Sequence, residues 1–242
     1  MVPELPPTVI LAGGLGTRLR PVIAQVPKAL AMVAGQPFIL HQLAWLHRSG
    51  VRLIILCIGY RGEQIADYLG DSTDLDLQIV YSWEDRPLGT AGALAQAAHL
   101  LPSEFLVING DTYTELDLKL LWNAHRSHAA TATLAVTTTS DSRAGGGIEL
   151  AKDGRILSFR EKESGAVLVS MGIYAVSRRI LKHIPTNRPC SLEKDVFPAL
   201  PGLYGYQAEV SFIDMGTPAD YQALDLYLRS LDNDSLERSS NP

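Results

Sequence analysis

Apolar and polar positions alternate in blocks along the first two thirds of the chain. Residues 8–12 form a short apolar run that ends in a glycine-rich turn. Residues 37–49 place Phe38, Leu40, Leu43, Trp45 and Leu46 at helical spacing, with Pro37 suited to a first turn. Residues 51–58 read as a fully buried strand closed by Gly59, and 62–69 as a helix. A strand follows at 77–81, then an alanine-rich helix at 89–101 stopped by Pro102. Residues 105–108 predict a strand ending in Asn109-Gly110-Asp111, 116–128 a helix and 132–138 a threonine-rich strand. Strands and helices that alternate in this way predict βαβ units, hence an α/β fold with a doubly wound, mostly parallel sheet.

The pattern changes after about residue 140. Two strand-like stretches, 148–151 and 156–160, flank Lys152-Asp153-Gly154-Arg155, and an Asp-Gly pair in that setting predicts a hairpin. A further strand is expected at 167–176, a short helix at 191–200 with Ser191 as N-cap, and an amphipathic helix at 218–231. The second part therefore reads as a small β-rich subregion. With no evident break, residues 1–231 are expected to form one domain, with halves of about 1–140 and 141–231 and a frayed tail at 232–242.

Composition narrows the field. Lys plus Arg number 21 against 26 Asp plus Glu, a net charge of −5, which argues against a broad basic surface for nucleic acid. Hydrophobic residues at 46% supply a full core. The longest apolar run, 53–58, falls far short of the roughly 20 residues that span a bilayer. Residues 1–7 lack the basic and apolar regions of a secretory signal, so a cytoplasmic protein is expected. Two cysteines, Cys57 and Cys190, build neither a disulfide framework nor a four-ligand zinc site. His125 and His128, three apart on an expected helix, are assigned to the surface.

The first chemistry lies in residues 9–20, Val-Ile-Leu-Ala-Gly-Gly-Leu-Gly-Thr-Arg-Leu-Arg. Gly13, Gly14 and Gly16 crowd a turn directly after a strand, where missing Cβ atoms let backbone N–H groups approach an anion. Arg18 and Arg20 add charge suited to phosphate, and Lys28 follows in an expected loop. Neither the P-loop pattern nor a regular G-x-G-x-x-G is present. Asp111 and Asp214 each follow an apolar strand, where an open parallel sheet collects ligands. One carboxylate from each half suits Mg²⁺, which takes one or two carboxylates plus phosphate oxygens. Either Asp could equally be a turn or cap residue.

The Leu-Ala-Gly-Gly-Leu-Gly-Thr-Arg-Leu-Arg-Pro run followed by Pro-Lys-Ala-Leu resembles the signature of sugar-1-phosphate nucleotidyltransferases. The resemblance extends over about residues 8–221. It is strongest to short bacterial guanylyltransferases that make GDP-heptose, then to enzymes that make GDP-mannose. It implies a nucleotide-binding first half and a sugar-phosphate-binding second half. It places Leu11, Ala12, Gly13, Gly14, Gly16 and Thr17 against the nucleotide, with Arg18 and Lys28 on the triphosphate. It makes Asp111 and Asp214 ligands of Mg²⁺ and brings Gly89 and Thr90 to the base side. On the sugar side it implies Glu161, Lys162, Gly146, Gly172 and Glu193.

Glu84 lies five residues before Gly89, where pyrimidine-using relatives place a Gln. A carboxylate accepts two parallel hydrogen bonds, which matches the adjacent donors of guanine and repels the acceptors of uracil or thymine. GTP is therefore the expected donor and a manno-configured sugar 1-phosphate the expected acceptor. Two departures touch the sugar side. Arg143 is followed by Ala144 and three glycines where relatives have Tyr-Gly, and Ser170 stands where relatives have Asn. Uridylyl, thymidylyl or cytidylyl transfer, or a catalytically silent sugar-nucleotide-binding subunit, stay open. The sequence gives no oligomeric state.

Overall fold

The computed structural model describes residues 5–19, 21–23, 25–70, 72–73, 76–139, 147–160 and 167–239. Strands β1 (Thr8–Leu11), β2 (Met32–Val33) and β3 (Gln36–Pro37) lead into α1 (Phe38–Ser49). Then come β4 (Leu53–Ile58), α2 (Gly62–Leu69), β5 (Ser72–Thr73), β6 (Leu77–Trp83), α3 (Gly89–Gln96) and β7 (Glu104–Asn109). β8 (Thr112–Thr114), α4 (Leu118–Ser127) and β9 (Ala132–Thr139) follow. β10 (Gly147–Leu150), β11 (Ile156–Arg160), β12 (Val167–Ser177), β13 (Leu203–Gln207), β14 (Phe212–Asp214) and α5 (Pro218–Ser239) complete the chain.

One ten-stranded sheet carries the molecule. Its centre is parallel, in the order β7-β1-β4-β6. The long β12 joins it antiparallel to β7 and also pairs with β9 and β10, so strands from both halves of the chain interleave. Register places Leu11 level with Cys57 and with Asn109, so the carboxyl ends of β1, β4 and β7 finish along one edge.

Both faces of the parallel strands are apolar because both are covered. Ile10, Ile54, Leu56, Leu106 and Ile108 pack under α1, α2 and α4. Their neighbours Val9, Ile55, Cys57, Phe105 and Val107 face α3 and the 180–200 region. A third cluster joins α5, through Leu224 and Leu228, to Leu19, Val33, Phe38 and Met215. α1 stops where Gly50 turns left-handed (φ +103°) and donates to His47 and Leu46 carbonyls.

Several elements differ from expectation. The 191–200 segment is a single π-type turn, Leu192–Val196, running into a 3-10 turn, because Pro198 withholds a helix donor. Ser191 does cap it, accepting from Lys194 N–H. Lys28 begins a short 3-10 turn, Lys28–Leu30, rather than lying in open loop. α5 continues beyond residue 231 to Ser239, through a stretch without Gly or Pro.

His125 is not on the surface. It is fully buried, stacked on Trp122, with Nδ1 3.0 Å from Thr133 Oγ1. It occupies an inward position on α4, whereas His128 is exposed and stacks on Tyr204. Burial, aided by the charge of Arg179, lowers the His125 pKa to about 4. Glu104 lies 4.0 Å from Nε2 and does not offset this. The unfolded chain therefore takes up a proton below about pH 6.5 that the folded chain refuses. Stability from this residue is present above that pH and is lost as pH falls toward 4, a change of roughly 3 kcal/mol. Urea unfolding between pH 7.5 and 4.5 is expected to show the loss, and His125→Leu to flatten it. An equally steep curve in the variant would remove His125 as the cause.

Candidate active site

The glycine loop leaves β1 at the edge where the parallel strands end. Ala12 N–H still bonds to Cys57 O at 2.8 Å, and the chain then turns outward through Gly13, Gly14 and Gly16. The loop wraps a cleft of about 320 Å³ lined by Leu11, Ala12, Gly14, Gly16, Thr17, Arg18, Lys28 and Asp111. Arg18 is exposed on the rim, its guanidinium against Gly216. Lys28 is held by its turn, with a side chain only 14% exposed, and its Nζ donates to Asp111 Oδ2 at 2.6 Å.

Asp111 and Asp214 are 103 residues apart in sequence, and a minor sheet unites them. β8 and β14 pair antiparallel with Asp214 opposite Thr112, and Met215 N–H donates to Asp111 O at 2.8 Å. Lys28 Nζ sits between the two carboxylates, 4.0 Å from Asp214 Oδ1. Burial and the neighbouring charge of Asp111 push the Asp214 carboxyl up to about 6, against the pull of Lys28 and Arg18. Two oxygen donors crowded beside a phosphate-sized cleft fit a hard divalent cation that takes its other ligands from phosphate and water. Among the described residues no group of three or more His, Cys, Asp or Glu forms a complete metal cage.

A second lobe of about 280 Å³ adjoins the first across Leu11, Gly14, Leu15 and Asp111. Glu84, Leu88, Gly89, Thr90 and Asn109 line it. Glu84 Oε2 accepts from Leu88 N–H at 3.2 Å, and burial raises its pKa. The carboxylate presses on the glycine loop so closely that a Cβ on Gly13 would lie 2.2 Å from Oε1. Gly89 is left-handed (φ +75°), and a Cβ there would lie 2.5 Å from Cys190 O.

On the far side, Gly172 falls in an irregular step of β12 against Asn109 and Thr112. Both Glu193 oxygens are engaged within the protein, by Tyr174 OH on one side and Thr90 and Ser191 hydroxyls on the other. Burial, with the Glu193 charge, holds the Tyr174 phenol well above its usual range. Gly146, Glu161 and Lys162 lie outside the described residues.

Sequence reasoning missed Gln42. This residue is fully buried on α1, and its Nε2 donates to Asn109 O (3.1 Å) and Thr112 O (2.7 Å). It straps both sides of the turn that carries Asp111. The signal was present: Gln42 interrupts an apolar stripe of Ile39, Leu43 and Leu46, and a polar residue at a core position needs buried partners.

A strand-end glycine loop, two cations and two carboxylates meet on one edge of a doubly wound α/β sheet, the edge where such sheets collect ligands. The chain belongs to the nucleotidyl transferase family, whose model matches residues 7–228. It is 37% identical over 221 residues to a mannose-1-phosphate guanylyltransferase of Mycobacterium tuberculosis, covering 88% of this chain and 62% of that one. It is 38% identical over 233 residues to the catalytic subunit beta of the enzyme so named in Drosophila pseudoobscura pseudoobscura, covering 92% of this chain and again 62% of the relative. The chain thus spans less than two thirds of the length of these curated relatives. Among solved structures, HddC from Yersinia pseudotuberculosis complexed with GMP-PN superposes with a TM-score of 0.83 at 31% identity. That match covers 93% of this chain and all of the other. No helix among the described residues is long and apolar enough to cross a membrane.

Proposed function

We propose that the chain is a cytoplasmic sugar-1-phosphate guanylyltransferase, joining GTP to a manno-configured sugar 1-phosphate and releasing pyrophosphate. The observation that carries this reading is the meeting of Arg18, Lys28, Asp111 and Asp214 at one cleft, with Glu84 in the adjoining lobe. The names of the relatives, and the complex of HddC with GMP-PN, support it.

In this reading an oxygen of the sugar phosphate attacks the α-phosphorus of GTP. The bond from that phosphorus to the bridging oxygen breaks, and pyrophosphate leaves. The nucleophile is already anionic, so positioning and charge stabilisation matter more than a general base. Backbone N–H groups of the glycine loop and the cations of Arg18 and Lys28 hold the triphosphate. Asp111 and Asp214 are the residues that would hold a divalent cation, Mg²⁺ being the expected one, which when bound offsets charge on the phosphate oxygens. Lys162 and Glu161 are assigned to the sugar phosphate and its hydroxyls, as are Gly146 and Gly172 to the sugar side. Glu84 in its ionised form accepts from the two adjacent guanine donors, which favour the charged carboxylate when they approach.

Pyrophosphate release tests the proposal, with GTP, UTP, CTP and dTTP each offered against mannose, glucose and manno-heptose 1-phosphates. Release with GTP and a manno-configured sugar is the expected result. Glu84→Gln is expected to cut the preference for GTP over UTP by at least about tenfold, because an amide no longer accepts twice. Release only with a pyrimidine triphosphate overturns the Glu84 reading but keeps the class. Binding without release across all pairs would favour a silent binding subunit.

A further inference from the structure

Residues 190–193 close over the start of α3 like a clasp. Cys190 N–H donates to Leu88 O at 2.8 Å, and Cys190 O accepts from Ala91 N–H at 2.9 Å. Leu192 N–H donates to Thr90 Oγ1 at 2.8 Å. The Thr90 hydroxyl donates in turn to Glu193 Oε2 at 2.9 Å. Ser191 Oγ donates to the same oxygen at 2.8 Å, and Tyr174 OH donates to Oε1 at 2.9 Å. Tyr174 is fully buried, and the Asn109 side chain also reaches its hydroxyl.

Three hydroxyl donors converge on one carboxylate, an arrangement that an acceptor-only group satisfies and an amide does not. Such bonds are charge-assisted and hold their partners firmly. Thr90 lines the lobe that contains Glu84 and Asp111, and Glu193 lines neither lobe of the cleft. The hydroxyl of Thr90 is committed to Leu192 and Glu193, so the clasp fixes its rotamer. We propose that Glu193 is a positioning residue for the nucleotide, acting through Thr90 rather than on a sugar hydroxyl. The inference rests on the guanylyltransferase reading for the identity of the nucleotide, but not for the coupling itself.

The test is a double-mutant cycle read by calorimetric titration of the whole chain with GTP and Mg²⁺, without sugar phosphate. Glu193→Gln and Thr90→Val are each expected to raise the Kd for GTP about tenfold. The double variant is expected to bind no more weakly than the weaker single, because both remove the same constraint. In turnover, KM for GTP follows Kd, while KM for the sugar phosphate moves less than about twofold in Glu193→Gln. An unchanged Kd for GTP with a raised KM for the sugar phosphate overturns the proposal, and so do additive losses. Thermal unfolding confirms that each variant is folded. Should Glu193→Gln fail to fold, Tyr174→Phe keeps the buried ring and removes one donor. About threefold weaker GTP binding then supports the clasp, and unchanged binding overturns it. If the wild-type chain binds another triphosphate most tightly, the guanine assignment falls and the cycle is read on that nucleotide. If it binds none, both fall.

Discussion

Asp111→Asn is expected to lower turnover by about 10³-fold or more while leaving the protein folded. The substitution keeps the shape of the side chain and removes its charge. Asp111 is the carboxylate that Lys28 grips at 2.6 Å, and it faces the cleft bounded by the glycine loop and Arg18. Its loss leaves one of the two carboxylates that would hold a divalent cation, and it frees Lys28, 4.0 Å from Asp214, to swing toward that residue. In the proposed reaction both changes would misplace charge at the α-phosphate, where charge stabilisation is needed.

Stability is expected to move little in the same variant. Asp214 sits at about 6, raised by burial and by Asp111. A carboxyl raised in the folded state keeps a proton that the unfolded chain releases, so charging it costs stability as pH rises from about 4 to about 6. Asp111→Asn relieves that repulsion and forfeits the Lys28 pair, two effects of opposite sign. Melting temperature at pH 7.5 is expected to stay within about 3 °C of wild type. Pyrophosphate release and a thermal melt on one preparation check both halves. Turnover within tenfold of wild type removes Asp111 from the reacting centre.

The local signals of the candidate site were legible in the sequence. A glycine-rich turn after a strand, and an Asp at a strand end, announce themselves because backbone geometry and charge are properties of a few adjacent residues. The alternation of helices and strands was legible for a similar reason, since each parallel strand buries both faces. The sequence and the family resemblance paired Asp111 with Asp214, but not the strands that bring them together. β8 and β14 are three residues each, too short for periodicity, yet their pairing joins Asp111 to Asp214. β13, rich in Gly and Tyr, passed unnoticed until it paired with β9. Glu193 meets Thr90 across 103 positions, and nothing in either neighbourhood signals the other. His125 misled because a His on an amphipathic helix reads as polar, while its ring packs as an aromatic between Trp122 and Thr133.

Arg18→Ala is expected to cost about 10²- to 10⁴-fold in kcat/KM, the second large effect. The guanidinium stands at the mouth of the cleft, against Gly216 and across from Lys28. Lys28 is fixed by its turn and by Asp111, so it supplies charge at one place. Arg18, exposed and on a flexible stem, offers a planar fork that two phosphate oxygens would fill together. In the proposed reaction, charge that migrates to the leaving pyrophosphate needs a partner on that side, and among the described residues of the glycine loop Arg18 is the cation that lines the cleft. Arg18→Lys keeps the charge and loses the fork, so it is expected to restore no more than about a tenth of the wild-type value. Because Arg18 is exposed, the melting temperature of both variants is expected to match wild type. Steady-state kinetics separate the roles: loss confined to KM for the triphosphate assigns Arg18 to ground-state binding, and loss in kcat assigns it to the departing group. Near-wild-type values of both in Arg18→Ala would shift the phosphate charge to Lys28 and the loop amides alone.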